Sequence, residues 1–476
     1  MLQTLIDAWH ALRHIPHIGL YLTLGWAAYL IGLGGWIVLQ KREPVATLSW
    51  LFGLALLPYV GFIVYHYLGP QRIVRHRLRR ARSKAARPAA SGTMDVIERE
   101  LSQLGVATTG LPASTARDVR LLVDGAAKYT ALLDDIAAAR TSIDLEYYIF
   151  LADRTGTSVR DALSERARAG VRVRLLVDAV GSSKTPRRFF APLVEAGGEF
   201  AWFHPMRFGR IWRRPWLNLR THRKIVVIDG RIAYTGGINV TDEEDERLRP
   251  DAYRDLHVRL DGDVVRSLQV VFVEDWAYAT GESPVLPPPE PPETGTFAVQ
   301  VVSSGPDSSW EAIHRLHIAA INSAQRRVWL TTPYFVPGEA AMMALTSAAL
   351  AGLDVRLLVP RRSDSVVVTY AARSYFDDLL AAGVRVYEYG PRLLHSKTLL
   401  IDDHVAVIGS ANFDHRSFRL NFEVSLLFHD ARVAGEVERM IELDLAHSPR
   451  VRDDRPRPLW RVRLPEALAR LVSPLL

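Results

Sequence analysis

The feature that most constrains the fold of this chain is an internal repeat. Residues 221–239, THRKIVVIDGRIAYTGGIN, return at 394–412 as LHSKTLLIDDHVAVIGSAN. An earlier segment returns in the same way, as AGVRVRLLVDAVGSS at 169–183 and AGLDVRLLVPRRSDS at 351–365. Two copies are too few for a solenoid, so we expect two fused domains around an internal two-fold axis.

The hydrophobic pattern predicts the fold of each copy. From about residue 116 onward, short β-branched runs alternate with helical stretches, which is typical of an α/β domain with a mixed β-sheet flanked by helices. Residues 281–295 hold too many prolines for a helix or a central strand, so we predict an extended connector there. The predicted domains are a first repeat over 116–280 and a second over 296–476. The second includes an amphipathic C-terminal tail, which either the domain or lipid would cover.

Two apolar runs precede the repeats. Residues 19–39 contain no charged side chain, and residues 45–68 contain only a histidine, so each run is long enough to cross a hydrocarbon core of about 30 Å. We predict a transmembrane helical hairpin over residues 1–70. The alternatives are a pair of buried core helices and, for the first run, a cleaved signal peptide.

A basic segment follows the apolar runs. Residues 72–87 carry eight Lys/Arg and no acid, so the formal charge of +7 becomes 7 − 8 = −1 without them. Basicity confined to one segment does not indicate a nucleic-acid-binding face. We predict a basic membrane-proximal linker over 71–115 that places the downstream domains in the cytoplasm, with a solvated linker as the alternative. Residues 202–220, rich in aromatic and basic side chains, are expected to rest on the membrane or to form a surface loop.

The polar residues shared by both copies indicate the chemistry. Each copy has the pattern His-x-Lys-x4-Asp, followed after six residues by Gly-(Gly/Ser)-x-Asn. Residues two apart on a strand project from the same face, so each histidine lies beside a lysine. Two such copies at a two-fold axis would form a site for a phosphoryl group. The candidate residues are His222, Lys224, Asp229, Asn239, His395, Lys397, Asp402, Ser410 and Asn412.

Two histidines at one phosphodiester divide the work. One attacks phosphorus, and the other protonates the departing alkoxide and then deprotonates the incoming hydroxyl. Asp255 and Glu423 occupy matching places in the two copies, and we expect them to orient the histidines. Asp229 and Asp402 fall in turns, so we interpret these two members of the motif as structural. The neighbouring lysines disfavour a metal site, and the absence of cysteine excludes thiolate ligands.

These motifs resemble the phospholipase D superfamily, whose signature is a doubled His-Lys-Asp motif. The resemblance extends to bacterial cardiolipin synthases through LPYVGFIVYHYLG, RTHRKIVVIDG, TTPYFVP and GSANFDHRSFRLNFE. It implies transfer of a phosphatidyl group from one phosphatidylglycerol to the headgroup hydroxyl of another, with release of glycerol. It also implies a covalent phosphohistidine, no nucleotide or metal cofactor, and binding to phosphatidylglycerol and other anionic lipids at a bacterial inner membrane.

The same resemblance assigns roles to the shared residues. His222 and His395 become nucleophile and acid/base, and family precedent favours His222 as the nucleophile. The lysines and asparagines, with Ser410, would hold the phosphate, while Gly237 replaces that serine in the first copy. A phospholipase D-type hydrolase, a nuclease, a transferase with another acceptor alcohol and a non-catalytic scaffold stay open as alternatives. The sequence does not give the oligomeric state.

Overall fold

The structure is a computed structural model that describes residues 16–39, 44–57, 61, 65, 96–204, 219–282, 286, 295–308 and 310–473. The chain divides into two compact units. One unit contains the N-terminal helices, and the other contains every β-strand described below.

The N-terminal unit has two apolar helices, α1 (Ile18–Leu39) and α2 (Pro44–Leu56). Among the described residues, Gly19–Leu39 is the one helical stretch whose length and hydropathy suit a membrane span. Helix α2 has 13 residues, fewer than the roughly 20 that a span needs. Most of the second apolar run beyond residue 57 lies outside the described residues, so one of the two predicted spans is present as a long apolar helix.

Residues 96–115, which we assigned to the linker, and Ala116, which we assigned to the first repeat, belong to the second repeat in the structure. Helix α3 (Val96–Thr109) buries Leu101 in the core of that repeat. Strand β1 (Ala113–Ala116) pairs antiparallel with residues 297–300. Helix α3 packs into the second repeat through its apolar face, although a charged segment precedes it in the sequence. The predicted linker therefore does not extend past residue 95, and the basic segment 72–87 lies outside the described residues.

The first repeat is an α/β domain. Its elements are β2 (Asp118–Val123), α4 (Asp124–Ala138), β3 (Ser142–Tyr147), α5 (Arg154–Arg168), β4 (Arg172–Asp178), α6 (Ala191–Glu195), β5 (Glu199–Phe203), β6 (Arg220–Thr221), β7 (Ile225–Ile228), β8 (Ile232–Gly236), β9 (Leu256–Asp261) and α7 (Val264–Thr280). Seven strands form one sheet in the order β2-β9-β8-β7-β3-β4-β5. Strands β3, β4 and β5 are parallel, and the other pairs are antiparallel.

The second repeat has the same architecture. Its elements are β10 (Phe297–Ser304), α8 (Ala312–Ser323), β11 (Arg327–Thr331), β12 (Phe335–Val336), α9 (Glu339–Leu350), β13 (Asp354–Pro360), α10 (Val366–Arg373), α11 (Phe376–Ala381), β14 (Arg385–Tyr389), β15 (Thr398–Ile401), β16 (Val405–Gly409), β17 (Phe413–Asp414), α12 (His415–Arg419), β18 (Asn421–His429), α13 (Ala431–Ala446) and α14 (Leu464–Leu471). The sheet order β10-β18-β16-β15-β11-β13-β14 repeats that of the first domain strand for strand. The doubled sequence therefore folds as two mixed sheets of one design.

The apolar runs of the motifs form the centre of each sheet. Strands β7 and β15, which follow the two histidine motifs, are buried at all four positions. Each lies between an antiparallel hairpin partner and the strand that begins the parallel part of the sheet. A central strand buried on both faces needs an unbroken apolar run, which is what IVVI and TLLI supply. Most of the predicted connector 281–295, and residues 205–218 of the aromatic and basic segment, lie outside the described residues.

Candidate active site

The two repeats exchange strand contacts where the histidine motifs begin. Strand β6, just before His222, runs parallel to the start of β18, and the backbone N–H of His222 donates to the carbonyl of Phe422 at 2.9 Å. In the other repeat, the N–H of His395 donates to the carbonyl of Arg254 at 2.7 Å. Each histidine motif therefore lies beside the segment of the opposite repeat that carries an acidic residue, Glu423 for His222 and Asp255 for His395.

Each histidine is held by a carboxylate of the opposite repeat. His222 Nδ1 lies 3.0 Å from Glu423 Oε2, and His395 Nδ1 lies 2.6 Å from Asp255 Oδ2. All four side chains are buried. With a carboxylate as its partner, Nδ1 carries the ring proton and Nε2 has the free lone pair. Burial lowers the pKa of His222 to about 4 and that of His395 well below its usual range, so both rings are neutral near pH 7.

Both motif lysines are buried beside the histidines. Lys224 Nζ donates to the carbonyl of His222 at 2.7 Å, and Lys397 Nζ donates to that of His395. Burial, followed by repulsion from Lys397, lowers the pKa of Lys224 to about 7. Burial also lowers the pKa of Lys397, whose Nζ lies 3.7 Å from Asp255 Oδ2. Two desolvated cations that repel each other favour an anion between them.

The asparagines and the serine make unequal contacts. Asn239 accepts from the N–H of Ile149 at 3.2 Å and donates Nδ2 to Glu244 at 2.7 Å. The buried Oδ1 of Asn412 has no hydrogen-bond partner among the described residues. Ser410, expected at the phosphate, instead donates its hydroxyl to Glu423 Oε2 at 2.5 Å. This serine therefore anchors the carboxylate that holds the first histidine.

Gly237 takes the place of that serine in the first repeat because Asp255 approaches it closely. A Cβ atom at residue 237 would collide with both oxygens of the Asp255 carboxylate. The absence of a side chain at residue 237 thus leaves space for the Asp255 carboxylate that contacts His395. The two halves of the site differ as a result. Glu423 accepts a hydrogen bond from the hydroxyl of Ser410, whereas Asp255 lies against Gly237, which has no side chain.

Glu244 is a buried site residue that the sequence reasoning missed. Its oxygens accept from the backbone N–H of Asn239 at 2.9 Å and from the amide side chain of the same residue at 2.7 Å. The corresponding backbone N–H in the second repeat, that of Asn412, donates to the hydroxyl of Ser417 at 3.1 Å. The sequence feature that could have indicated Glu244 is the acidic run TDEED, which begins two residues after Asn239. Such a run usually lies on a solvated turn, but here a short 3₁₀ turn at Asp242–Glu244 directs Glu244 inward.

The motif aspartates lie away from the histidines. Asp229 accepts from the N–H groups of residues 140–142, and Asp402 accepts from those of residues 325–327. Both contact the beginning of a strand, β3 or β11, whereas the site lies beyond the other end. Both have positive φ, 53° and 49°, which aspartate tolerates better than most residues. Their position agrees with a structural function.

Glu244, Asp255 and His395 are the one described group of acidic and histidine side chains whose geometry allows a shared cation, with ligand atoms within 4.8 Å of one another. Their donor atoms already serve the protein. Asp255 holds His395, Glu244 holds Asn239, and the ammonium of Lys397 lies beside Asp255. A cation there would be repelled by that ammonium, so the donor set fits a hydrogen-bond network better than a metal site.

Comparison with known proteins agrees with this geometry. The family model "Cardiolipin synthase, PLD-like domain" matches residues 132–257 and 317–445, and an N-terminal model of the phospholipase D–nuclease type matches residues 27–70. The cardiolipin synthase of Geobacillus thermodenitrificans is 39% identical over 463 residues, covering 92% of this chain and 91% of that protein. Cardiolipin synthase 1 of Bacillus cereus is 35% identical over 503 residues, covering 100% and 98%.

Solved structures share the fold at low sequence identity. Phosphatidylserine synthase of Haemophilus influenzae superposes with a TM-score of 0.63 at 14% identity, covering 80% of this chain and 100% of that one. Polyphosphate kinase of Porphyromonas gingivalis superposes with a TM-score of 0.50 at 16% identity, covering 75% and 53%. The overall fold of this chain is therefore found in other proteins.

Proposed function

Because this chain belongs to the family of phospholipase D-like cardiolipin synthases, we propose that it transfers a phosphatidyl group between two phosphatidylglycerol molecules. The products are cardiolipin and glycerol. The observation that carries the proposal is the crossed pair of histidine–carboxylate contacts around two buried lysines. Such a site combines two neutral imidazoles with a cationic pocket for one phosphodiester.

The first step forms a phosphohistidine. Nε2 of His222 attacks phosphorus, the bond from phosphorus to the glycerol oxygen breaks, and His395 in its protonated form gives a proton to that oxygen. Binding of the phosphodiester anion raises the pKa of His395 and so supplies this protonated form. In the second step, His395 takes the proton of the acceptor hydroxyl, whose oxygen attacks phosphorus and releases His222.

The inequivalence of the two carboxylates supports His222 as the nucleophile. Burial alone raises the pKa of Glu423, but its contacts with His222 and Ser410 hold that pKa below its usual value. Burial raises the pKa of Asp255 to about 6, although Lys397 opposes the shift. The more firmly ionised carboxylate thus faces the ring that becomes a cationic phosphoimidazole.

The remaining shared residues hold the phosphate in this proposal. Lys224 and Lys397 supply positive charge, and Asn239 and Asn412 supply amide groups at the ends of β8 and β16. We also propose that α1 and the second apolar run form a membrane hairpin, with the catalytic unit on the cytoplasmic side of a bacterial inner membrane.

The test uses the purified full chain in phosphatidylglycerol vesicles, with products identified by mass spectrometry. Cardiolipin with an equal amount of glycerol supports the proposal. Phosphatidic acid without cardiolipin replaces it with a hydrolase, and absence of both products refutes it.

Intact mass after a rapid denaturing quench at neutral to mildly alkaline pH, in which the phosphorus–nitrogen bond survives, measures the covalent step. The wild type, quenched during turnover, should carry a phosphatidyl adduct that His222→Ala does not form, and His395→Asn should form that adduct more slowly because it lacks the acid of the first step. His447→Ala, at an exposed histidine, is the control and should retain wild-type turnover. An adduct that persists in His222→Ala would assign the covalent bond to another residue.

A further inference from the structure

The C-terminal helix α14 has its leucines on the outside. Leu464, Leu468 and Leu471 follow the i, i+4, i+7 spacing of one helix face, and the last two are 56% and 77% exposed. The opposite face buries Glu466, which pairs with Arg457 at 2.5 Å. A helix that packs only for the stability of a soluble domain buries leucine and exposes glutamate. The leucine face of α14 therefore needs a partner.

Neighbouring residues extend this apolar surface. Trp460, in the π-helical turn before α14, is 76% exposed. Helix α14 packs against α10, where Val366 is 70% exposed. Arg470 of α14 stacks on Tyr375, two residues after the end of α10, at 4.5 Å. We call the exposed apolar residues of these two helices and the turn the tail patch, which consists of Val366, Val367, Trp460, Leu464, Leu468 and Leu471.

The tail patch includes the start of α10, which lies at the edge of the second sheet that carries the histidine motif. Strands β11 and β13 are parallel, so the chain leaves both at the same edge, and α10 begins just after β13. Asp364, two residues before α10, accepts from the hydroxyl of Tyr334 at 2.7 Å. Burial, followed by the charges of Glu243 and Asp364, raises the pKa of Tyr253, whose ring lies 5.6 Å from that of His395. The histidine motif and the start of α10 therefore lie at the same edge of the second sheet.

Charge distinguishes a membrane partner from a protein partner. Arg461 and Arg463 are exposed in the turn that carries Trp460. Arginine and tryptophan beside an apolar helix face are the composition of helices that lie in the headgroup region of anionic bilayers. We propose that the tail patch docks on an anionic phospholipid bilayer and holds the mouth of the site against the lipid headgroups. This proposal rests on the proposed function, because it takes a membrane phospholipid as the substrate.

The absence of cysteine allows a direct test in the full chain. Leu468→Cys, labelled with the environment-sensitive fluorophore NBD, is reconstituted in vesicles of phosphatidylglycerol and phosphatidylcholine that contain doxyl-labelled lipid. Leu350→Cys is the matched control, since Leu350 is 73% exposed and ends α9, at the edge of the sheet away from the site. We expect doxyl lipid to quench NBD at residue 468 and to leave residue 350 unchanged. Equal quenching at the two positions overturns the proposal. A blue shift at residue 468 that grows with protein concentration and resists doxyl lipid identifies a second copy of the chain as the partner, and also overturns it.

Activity provides the second arm. Leu468→Gln/Leu471→Gln should raise the apparent KM for phosphatidylglycerol in vesicles about tenfold relative to Leu350→Gln/Leu443→Gln, which alters equally exposed leucines. Both variants should turn over dihexanoyl-phosphatidylglycerol, supplied as dissolved monomers, at the wild-type rate. Equal KM values on vesicles overturn the docking surface while leaving the enzyme intact. Absence of turnover of either substrate by the wild type refutes the proposed function instead.

Discussion

The contact between Glu423 and His222 provides the sharpest test of the mechanism. Glu423→Gln keeps the shape of the side chain and removes its charge. Both carboxylate oxygens accept hydrogen bonds: one from His222 and Ser410, the other from Asn421 at 3.2 Å. An amide has only one acceptor oxygen, so its NH₂ group must face a donor on one side. The substitution therefore removes the negative charge and also disturbs the proton on Nδ1 of the histidine.

The geometry sets the size of the effect. The charge of Glu423 matters most when His222 becomes a cationic phosphoimidazole, since the free ring is neutral. For unit charges about 4 Å apart at an effective dielectric constant of about 20, the lost attraction is about 4 kcal/mol, which corresponds to roughly a 10³-fold loss in rate. The loss should appear in kcat and leave KM nearly unchanged, because the interaction arises after substrate binding.

The assay follows the release of glycerol from phosphatidylglycerol vesicles, which reports the first chemical step for transfer and hydrolysis alike. Glu388→Gln serves as the control, since Glu388 pairs with Arg373 at 2.8 Å outside the site. Thermal unfolding of both variants separates catalytic loss from loss of fold. A kcat for Glu423→Gln within about tenfold of the wild-type value would refute the reasoning.

Three further predictions follow from the site and its supports. The value of kcat/KM should fall as pH rises through about 7, because Lys224 loses its proton and the phosphate loses a cation, and Lys224→Arg should make this fall shallower, leaving the part that comes from deprotonation of His395. A profile that stays flat into alkaline pH contradicts this reasoning. Gly237→Ser should lower kcat about 10²-fold, because the added side chain displaces Asp255 and misaligns His395. Wild-type turnover of this variant in steady-state kinetics would show that the site accommodates the serine side chain, and would contradict the prediction. Asp402→Ala should lower the free energy of unfolding by about 3 kcal/mol, because backbone N–H groups lose a charged acceptor, while the rate per folded molecule is retained. Loss of that rate at unchanged stability, measured by denaturant unfolding, would point to a catalytic function for this aspartate.

The duplicated apolar frame was enough to predict two α/β repeats. The strand order of one sheet recurs in the other because the same pattern of buried positions recurs in the sequence. The charge pattern predicted the boundary of the linker less well. It assigned residues 96–115 to the linker, whereas Leu101 packs that segment into the core of the second repeat. The sequence also could not decide how much of the second apolar run forms a helix.

At the site, the sequence singled out histidines and carboxylates that the structure brings together, but it could not show which carboxylate contacts which histidine. The contacts of Glu423 with His222 and of Asp255 with His395 join residues far apart in the chain, and no local pattern records which carboxylate meets which ring. The direction of the Ser410 hydroxyl is set in the same way by strand pairing. Glu244 was missed because an acidic run has the same composition whether it is solvated or turned inward. The functional assignments of these residues stay predictions until the variants are measured.

The crossing of the histidine–carboxylate contacts has a consequence for synthesis of the enzyme. A ribosome completes the first repeat, with His222 and both of its flanking strands, well before it makes Glu423. Until the second repeat has emerged and docked, the first histidine lacks its orienting acid and the second does not exist. Under the proposed mechanism, a nascent or truncated chain would therefore be unable to attack phospholipid, even though it already carries the N-terminal apolar helix. Activity would begin only when translation and docking of the second repeat are both complete.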